Sequence, residues 1–224
     1  MRTISQLVEE EIRRSPFLEE IISEGLGNNA EVARRIKVAI EKRRMEKVSE
    51  SAIAMALHRM GKRKAAAVSG LTFLKQIRDI SVRSNLVEVI IPNSTDFTSA
   101  LNALSMAASK KKDAFVNFSR GIHQSLIIVS GDLMGELPKT LQSDPSAVSR
   151  QAKGARTMRG LSAITMHLPQ HSLDVPGLYY PILKALALEG ISFVEVMSVD
   201  VEFTIIFKDV LVDRAFSVIK RITS

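Results

Sequence analysis

The stretch that decides the fold runs from His171 to Ile222 and reads HSLDVPGLYYPILKALALEGISFVEVMSVDVEFTIIFKDVLVDRAFSVIKRI. Its apolar residues recur first at helical spacing, then in short runs typical of strands, and then at helical spacing again. Gly190 is expected to end the first helix, because glycine readily adopts the left-handed conformation that follows many helices. Together with the apolar segment before it, the stretch predicts a strand at 161–168, a helix at 176–188, strands at 191–198 and 201–207, and a helix at 210–222.

The same order of elements is predicted about 80 residues earlier in the chain. The predicted elements are a strand at 87–91, a helix at 96–108, strands at 114–118 and 125–130, and a helix at 133–141. A duplicated unit of this size predicts two similar domains packed together. Strands backed by helices on one face make each of them an α+β sandwich.

Residues 1–64 have no strand pattern and are predicted to form four short helices. Pro16 suits the first turn of the second helix, with Ser15 as its cap. Glycine and asparagine residues at 25–29 interrupt the helical pattern before the third helix. Ser49 is expected to cap the fourth helix, and Gly61 is expected to end it. The predicted domains are a helical module at 1–66, a first sandwich at 71–143 and a second at 158–224.

Four features of the quoted stretch resemble an ACT domain, in particular the regulatory end of aspartokinases. They are Asp174-Val175-Pro176-Gly177 after a strand, a helix closing in Ala187-Leu188-Glu189-Gly190-Ile191, the strand Val194-Glu195-Val196-Met197-Ser198, and Val212-Asp213-Arg214-Ala215-Phe216 in the last helix. The first repeat shares only the order of elements, with Pro92-Asn93-Ser94-Thr95-Asp96 at the equivalent turn. The resemblance implies two ACT-like βαββα(β) sandwiches that associate into a homodimer or higher homo-oligomer.

Most ACT domains follow a βαββαβ plan, so the resemblance implies a final strand. The residues after the last predicted helix do not provide one. We expect this strand to come from residues 71–82 or from a partner subunit.

The loop around Gly177 is the predicted ligand site. Gly177 lets a ligand approach the backbone, the amides at a helix start attract an anion such as an amino-acid carboxylate, and Asp174 can accept an ammonium group. The alternative is that Pro-Gly only makes the turn and Asp174 only caps the helix. Tyr179 and Tyr180 are assigned to packing. The predicted ligand-binding residues are Asp174, Val175, Pro176, Gly177, Leu178, Ser198 and Asp200.

The N-terminal segment is the more basic part of a chain whose net charge is +7, with 14 Lys and Arg against 10 Asp and Glu in residues 1–64. It loosely resembles a winged-helix or helix-turn-helix module, with helices at 31–42 and 49–60 as the pair. Lys and Arg would neutralise phosphates of DNA; the alternative is a solvated basic surface. The predicted nucleic-acid-binding residues are Arg34, Arg35, His58, Arg59, Lys62, Arg63 and Lys64.

Several classes of chemistry have no support in the sequence. The absence of cysteine excludes disulfides, thiolate metal sites and cysteine nucleophiles. The four histidines are scattered, and neither a phosphate-binding glycine loop nor a GxGxxG motif occurs. No apolar run has the roughly 18 residues of a membrane span. We therefore predict a soluble, cytoplasmic protein that is not an enzyme and has no metal, cofactor or membrane partner.

The function predicted from these patterns is transcription regulation. An amino acid or similar small effector binds the ACT pair, and this allosterically controls DNA binding by the helical module. The alternatives are a regulatory subunit that binds an amino-acid biosynthetic enzyme, favoured by the mixed charge of residues 9–24, and an aspartokinase-like protein that lacks the kinase domain.

Overall fold

The computed structural model describes residues 2–64, 73–77, 79–139 and 155–224. The chain divides into two compact units, Met1–Ser69 and Gly70–Ser224. None of the helices in the described residues is both long and apolar enough to cross a membrane. The helices of the first unit are α1 (Ile4–Arg13), α2 (Pro16–Ser23), α3 (Asn29–Arg44) and α4 (Glu50–Lys64).

The four helices of the first unit pack their apolar faces around one core. Thr3 and Gln6 form a reciprocal cap at the start of α1, and the Asn28 side chain accepts hydrogen bonds from two amides at the start of α3. The buried residues are Leu7, Val8, Ile12, Ile22, Ala33, Ile36, Ile40, Val48, Ile53, Ala56, Leu57 and Met60.

The prediction that Gly61 ends the fourth helix is wrong, because α4 continues through it to Lys64. A Cβ atom at this position would lie 2.5 Å from the carbonyl oxygen of Ile22. Glycine is therefore required here for the close approach of α2 to α4, and not for a helix end.

The second unit is built on one antiparallel sheet. Its helices are α5 (Thr98–Ser109), α6 (Tyr180–Leu188) and α7 (Asp209–Thr223), with short 3-10 helices at Gly131–Glu136 and Ser172–Asp174. The strand order across the sheet is β2-β3-β1-β4-β6-β5. The strands are β1 (Asp79–Pro92), β2 (Val116–Arg120), β3 (Gln124–Ser130), β4 (Arg156–His167), β5 (Glu195–Val199) and β6 (Glu202–Lys208).

Each repeat contributes three strands to this sheet, and the first strands of the two repeats pair with each other. β1 lies between β3 of its own repeat and β4 of the other, and β4 lies between β6 and β1. The strands therefore form one continuous sheet, and the predicted division of 71–224 into two separate sandwiches is not confirmed. Asp79 to Val82, within the 71–82 segment expected to supply a strand, extend β1 and pair with β4.

Two β-bulges shape the pairing of β1 with β4. In the register, Arg83 is opposite Ala163, Leu86 is opposite Leu161, and Glu88 is opposite Met158. Between the first two pairs β1 has one more residue than β4, and between the last two pairs β4 has one more residue than β1. Asn85 (φ 59°) and Gly160 (φ 70°) adopt left-handed conformations at these bulges. Because each bulge shifts the alternation of side chains by one residue, apolar residues before and after it stay on the same face of the sheet.

Among the described residues of the second unit, the helices that pack on the sheet cover one face of it. The core under α5 contains Val87, Val89 and Ile127, and the core under α6 and α7 contains Ile164, Met166, Phe203 and Ile205. The opposite face, called the second face below, has an apolar cluster whose members come from strands and the loops before them. Its fully buried residues are Leu86, Ile128, Leu161, Ala163 and Ile206.

The second helix of the first repeat is shorter than predicted. The expected helix at 133–141 is a 3-10 helix at Gly131–Glu136, and residues 140 and 141 lie outside the described residues. Leu137 is extended (φ −85°, ψ 140°) and precedes Pro138. Proline disfavours a helical conformation of the residue before it, which explains where the helix ends.

Glu88 is a buried carboxylate on the second face. It is 3% exposed, and its Oε2 atom has no hydrogen-bond partner. Burial, and to a smaller extent the nearby Glu195, raise the pKa of Glu88 from its ordinary value of 4.5 to about 7, although Arg156 acts to lower it. Burial also raises the pKa of Glu195. The second face therefore has two carboxyl groups that hold protons more tightly in the folded chain than in the unfolded chain.

We expect the stability of the second unit to fall as pH rises from about 4.5 to about 7. In this range the folded state keeps the Glu88 proton and the unfolded state releases it, so a rise in pH favours unfolding, by at most about 3 kcal/mol. Glu88→Gln should flatten this dependence in urea unfolding at pH 5 and pH 8, leaving the smaller contribution of Glu195. Glu202→Gln, an exposed position on β6, serves as the control. An unchanged slope in Glu88→Gln would contradict the assignment.

Candidate functional site

The loop after β4 begins its helix later than predicted. Pro176 does not open the helix, because Gly177 is left-handed (φ 72°) and α6 starts at Tyr180, with Pro181 in its first turn. Tyr179 occupies the cap position, but its side chain makes no capping hydrogen bond to the first turn of the helix. Asp174 belongs to the short 3-10 helix and is exposed, so it does not cap α6.

Several amides of this loop are already hydrogen-bonded within the loop. The Leu178 amide donates to the Val175 carbonyl (3.4 Å), and the Tyr180 amide donates to the Gly177 carbonyl (3.0 Å). These two amides are therefore satisfied, in contrast to the unpaired donors expected at the helix start. Leu178 is buried in the core beneath α6, Val175 is half-buried, and Pro176 and Gly177 are exposed. The exposed surface of the loop is formed by Asp174, Pro176 and Gly177.

Tyr179 connects this loop to the hairpin of β5 and β6. Its hydroxyl lies 3.2 Å from the Ser198 Oγ atom, and its ring stacks on Phe203 with centroids 4.1 Å apart. The Ser198 hydroxyl also donates to the carbonyl of Asp200 (3.4 Å), a left-handed residue (φ 52°) in the hairpin turn. The structure thus links the predicted site residue Ser198 to the loop through Tyr179, whose stacked ring agrees with its assignment to packing.

A cavity of about 380 Å³ lies at the equivalent loop of the first repeat, between β1 and α5. Asp96 accepts a hydrogen bond from the Thr98 amide (3.0 Å), and the hydrogen bonds from Thr98 hold the pKa of this exposed carboxyl below its usual range. The cavity therefore has an ionised carboxylate and a guanidinium in its walls. Its lining is Asn93, Ser94, Thr95, Asp96, Phe97, Thr98, Leu101, Phe118 and Arg120.

Asn93 fixes the loop to the hairpin that follows β2. Its side-chain amide donates to the carbonyls of Gly121 (2.8 Å) and Ile122 (3.0 Å), and its oxygen accepts from the Ser125 hydroxyl (2.7 Å). This cavity was not predicted from the sequence, because its loop lacks the Pro-Gly turn of the second repeat. The available signal was a run of turn and cap residues at 93–96, at the same point of the repeat as the predicted site.

In the first unit, the residues predicted to bind nucleic acid have different surroundings. Arg34 forms ion pairs with Glu31 (2.7 Å) and Glu50 (3.9 Å), and Lys37 lies 3.4 Å from Glu50. Glu50 is in the first turn of α4, where a recognition helix would contact bases. Arg35, His58 and Arg59 are exposed, whereas the side chains of Lys62, Arg63 and Lys64 lie outside the described residues. The likeness to a winged-helix or helix-turn-helix module stays a prediction.

Within the part of the chain that the structure describes, no group of three or more His, Asp or Glu side chains is placed to hold a metal ion.

The single sheet with its two strand-helix loops is similar in fold to part of a solved aspartate kinase. Aspartate kinase from Clostridium acetobutylicum, described as an allosteric enzyme, has a TM-score of 0.51 at 13% identity over 66% of this chain and 35% of that one. The regulatory subunit of aspartate kinase from Thermus thermophilus has a TM-score of 0.48 at 12% identity, over 66% of this chain and 98% of that one. The chain thus spans about a third of the Clostridium enzyme, and the likeness concerns the fold.

Neither family models nor curated proteins match this sequence.

We expect the Tyr179 ring to contribute more to stability than its hydroxyl. Tyr179→Ala removes the stacking on Phe203 and should lower the free energy of unfolding by about 2 kcal/mol, whereas Tyr179→Phe should cost less than about 1 kcal/mol. Urea unfolding of the two variants measures the difference. Equal losses in both would show that the hydrogen bond to Ser198, and not ring packing, holds the loop.

Proposed function

We propose that this chain is a ligand-responsive regulator whose C-terminal unit binds an amino acid beside its strand-helix loops. The observation that carries the proposal is the cavity at residues 93–98 in an ACT-like sheet. Its volume is in the range of small-molecule sites. Arg120 supplies a cation for a carboxylate, and Asp96 supplies an anion for an ammonium group.

The loop at 174–178 is the second part of the proposal. Asp174 offers an exposed carboxylate beside the exposed, left-handed backbone of Gly177, and Tyr179 links the loop to Ser198 and Asp200. Because β1 and β4 are antiparallel, the loops that follow them lie at opposite ends of the sheet. The two repeats therefore offer separate sites.

The proposal assigns no catalytic residue. The sequence contains no glycine-rich phosphate-binding loop, and the chain spans about a third of the kinase that it resembles in fold. Regulation by a bound ligand requires only that the ligand bind two conformational or assembly states with different affinity. Association into a homodimer or higher oligomer is part of this proposal.

A thermal-shift screen against the twenty amino acids tests the ligand. A ligand present at 100 times its Kd should stabilise the unit that binds it by about 2.7 kcal/mol. Arg120→Gln should reduce the shift, while Arg159→Gln, an exposed arginine on β4 that is not in the cavity wall, should keep it. Asp174→Asn tests the second loop in the same way. If no amino acid shifts the transition, or if both arginine variants respond like the unaltered chain, the proposal is wrong.

The N-terminal unit is the proposed output of the regulator, and DNA is its first candidate partner. Arg35, His58 and Arg59 are exposed, and Lys62, Arg63 and Lys64 continue the basic run in sequence. A partner protein is the second candidate. Phe17, which is 68% exposed, shares one face of α2 with Ile21. Leu26, which is 76% exposed, lies near them, because its amide donates a hydrogen bond to the carbonyl of Ile21. Such apolar surface marks many protein interfaces.

Fluorescence anisotropy with genomic DNA fragments separates the two outputs. DNA binding should weaken steeply with salt and should fall about tenfold at low salt in the double variant Arg35→Gln, Arg59→Gln. Phe17→Ser should leave it unchanged. If DNA does not bind at low salt, with or without amino acids, the DNA output is excluded. Loss of a co-purifying enzyme in Phe17→Ser, but not in the arginine variant, would then support the protein partner.

A further inference from the structure

The two repeats differ in how the end of their first helix is covered. In the second repeat the long helix α7 lies against the end of α6. Arg214 donates to the carbonyl of Glu189 (3.0 Å), and Arg221 pairs with the Glu189 carboxylate (2.6 Å). In the first repeat the corresponding element is only the 3-10 helix Gly131–Glu136. A cavity of about 390 Å³ lies there, beside the loop that follows α5.

The bulge in β1 forms one wall of this cavity. Ser84 and Asn85 are the residues that the bulge places opposite the single residue Ser162 of β4. The Asn85 side chain lies directly over Gly131, where a Cβ atom would be 2.3 Å from the Asn85 Oδ1 atom. Glycine at 131 therefore lets the bulge pack against the start of the 3-10 helix. Ser84, Asn85 and Ser130 contribute polar groups to the cavity wall.

Three cationic side chains from two elements meet at this cavity, and they are neutralised to different degrees. Lys111 forms an ion pair with Asp132, and this hydrogen bond holds the pKa of Asp132 below its usual range. Arg83 donates to the backbone carbonyl of Asp113, a neutral acceptor, and its charge also helps to hold down the pKa of Asp132. Lys112 is exposed in the cavity wall. With Asp113 also in the wall, the lining has three cations and two carboxylates.

We propose that this cavity binds a small oxyanion, such as the phosphate group of a metabolite, between Arg83 and Lys112. A guanidinium presents several donors in a plane that matches the oxygens of phosphate or carboxylate, and an ammonium adds a compact charge. The hydroxyl of Ser84 and the amide of Asn85 supply neutral donors at the bulge. The site is independent of the amino-acid site, because its walls share no residue with the cavity at 93–98.

The alternative role for the lysines after α5 is stabilisation of that helix, and Lys110 provides a control that separates the two roles. Lysine near the carbonyl end of a helix stabilises the helix through its dipole. Lys110 caps α5 and has the same charge, yet it is not in the cavity wall. If the lysines act through the helix dipole, Lys110 should matter at least as much as Lys112. If they bind an oxyanion, Lys112 should matter and Lys110 should not.

Titration of the ¹⁵N-labelled full chain with inorganic phosphate tests the proposal, with chloride at equal ionic strength as the reference. We expect saturable amide shifts confined to residues 83–85, 111–113 and 130–132. Lys112→Gln should weaken phosphate binding about tenfold, as expected for loss of a charge-assisted hydrogen bond. Lys110→Gln should leave it within about twofold. Arg83→Gln should also weaken binding, and its amide spectrum without phosphate reports whether the bulge is intact.

Three results would overturn the proposal: chloride causing the same shifts as phosphate, no saturation by phosphate, or equal losses in Lys112→Gln and Lys110→Gln. A parallel titration with succinate identifies the source of the oxyanion, because a site for carboxylates binds it and a site selective for phosphate does not. The amino-acid screen with Arg120→Gln is unaffected by any of these outcomes.

Discussion

The pairing of β1 with β4 is the interaction on which the second unit depends. Each repeat supplies only three strands, so the first strand of each repeat has one edge without a partner in its own repeat. Unpaired strand edges leave amides and carbonyls unsatisfied and invite association. The two repeats satisfy each other's edge along most of a 14-residue strand, with the Leu86–Leu161 pair between the two bulges at the centre. The sheet, the helix layer and the loops that bear the candidate sites all take their positions from this ladder.

The bulges explain how two long strands can serve two cores. Each inserts one residue, and together they keep Val87 and Val89 of β1 and Ile164 and Met166 of β4 on the face that the helices cover. The same pairing places the carboxylate of Glu88 on the second face, where burial costs energy once the group ionises. The repeats are alike in strand order, but the shortened second helix of the first repeat makes them different in surface and in the cavities that they offer.

Much of this fold could be predicted from the local pattern of the sequence. The strand and helix types from β1 to α7, except for the helix predicted at 133–141, the four N-terminal helices and the turn at residues 174–177 follow from periodicity and from proline and glycine. The pattern could not show that both repeats share one sheet, because apolar alternation does not identify the partner strand. Nor could it show that Gly61 serves close packing against Ile22, since glycine at a predicted helix end has the same appearance. The candidate site was predicted in the repeat with the recognisable turn, while the cavity of about 380 Å³ lies in the other repeat, where Asn93 organises the loop through long-range hydrogen bonds and Asp96 through a local one.

Cross-strand nuclear Overhauser effects between β1 and β4 test this description most directly. The account predicts contacts between Leu86 and Leu161 and between Val82 and Ile164 within one chain, so they should persist in a sample of labelled chains diluted into an excess of unlabelled chains. Their absence, or their loss on dilution into unlabelled chains, would show that the two repeats do not complete each other's sheet in a single molecule.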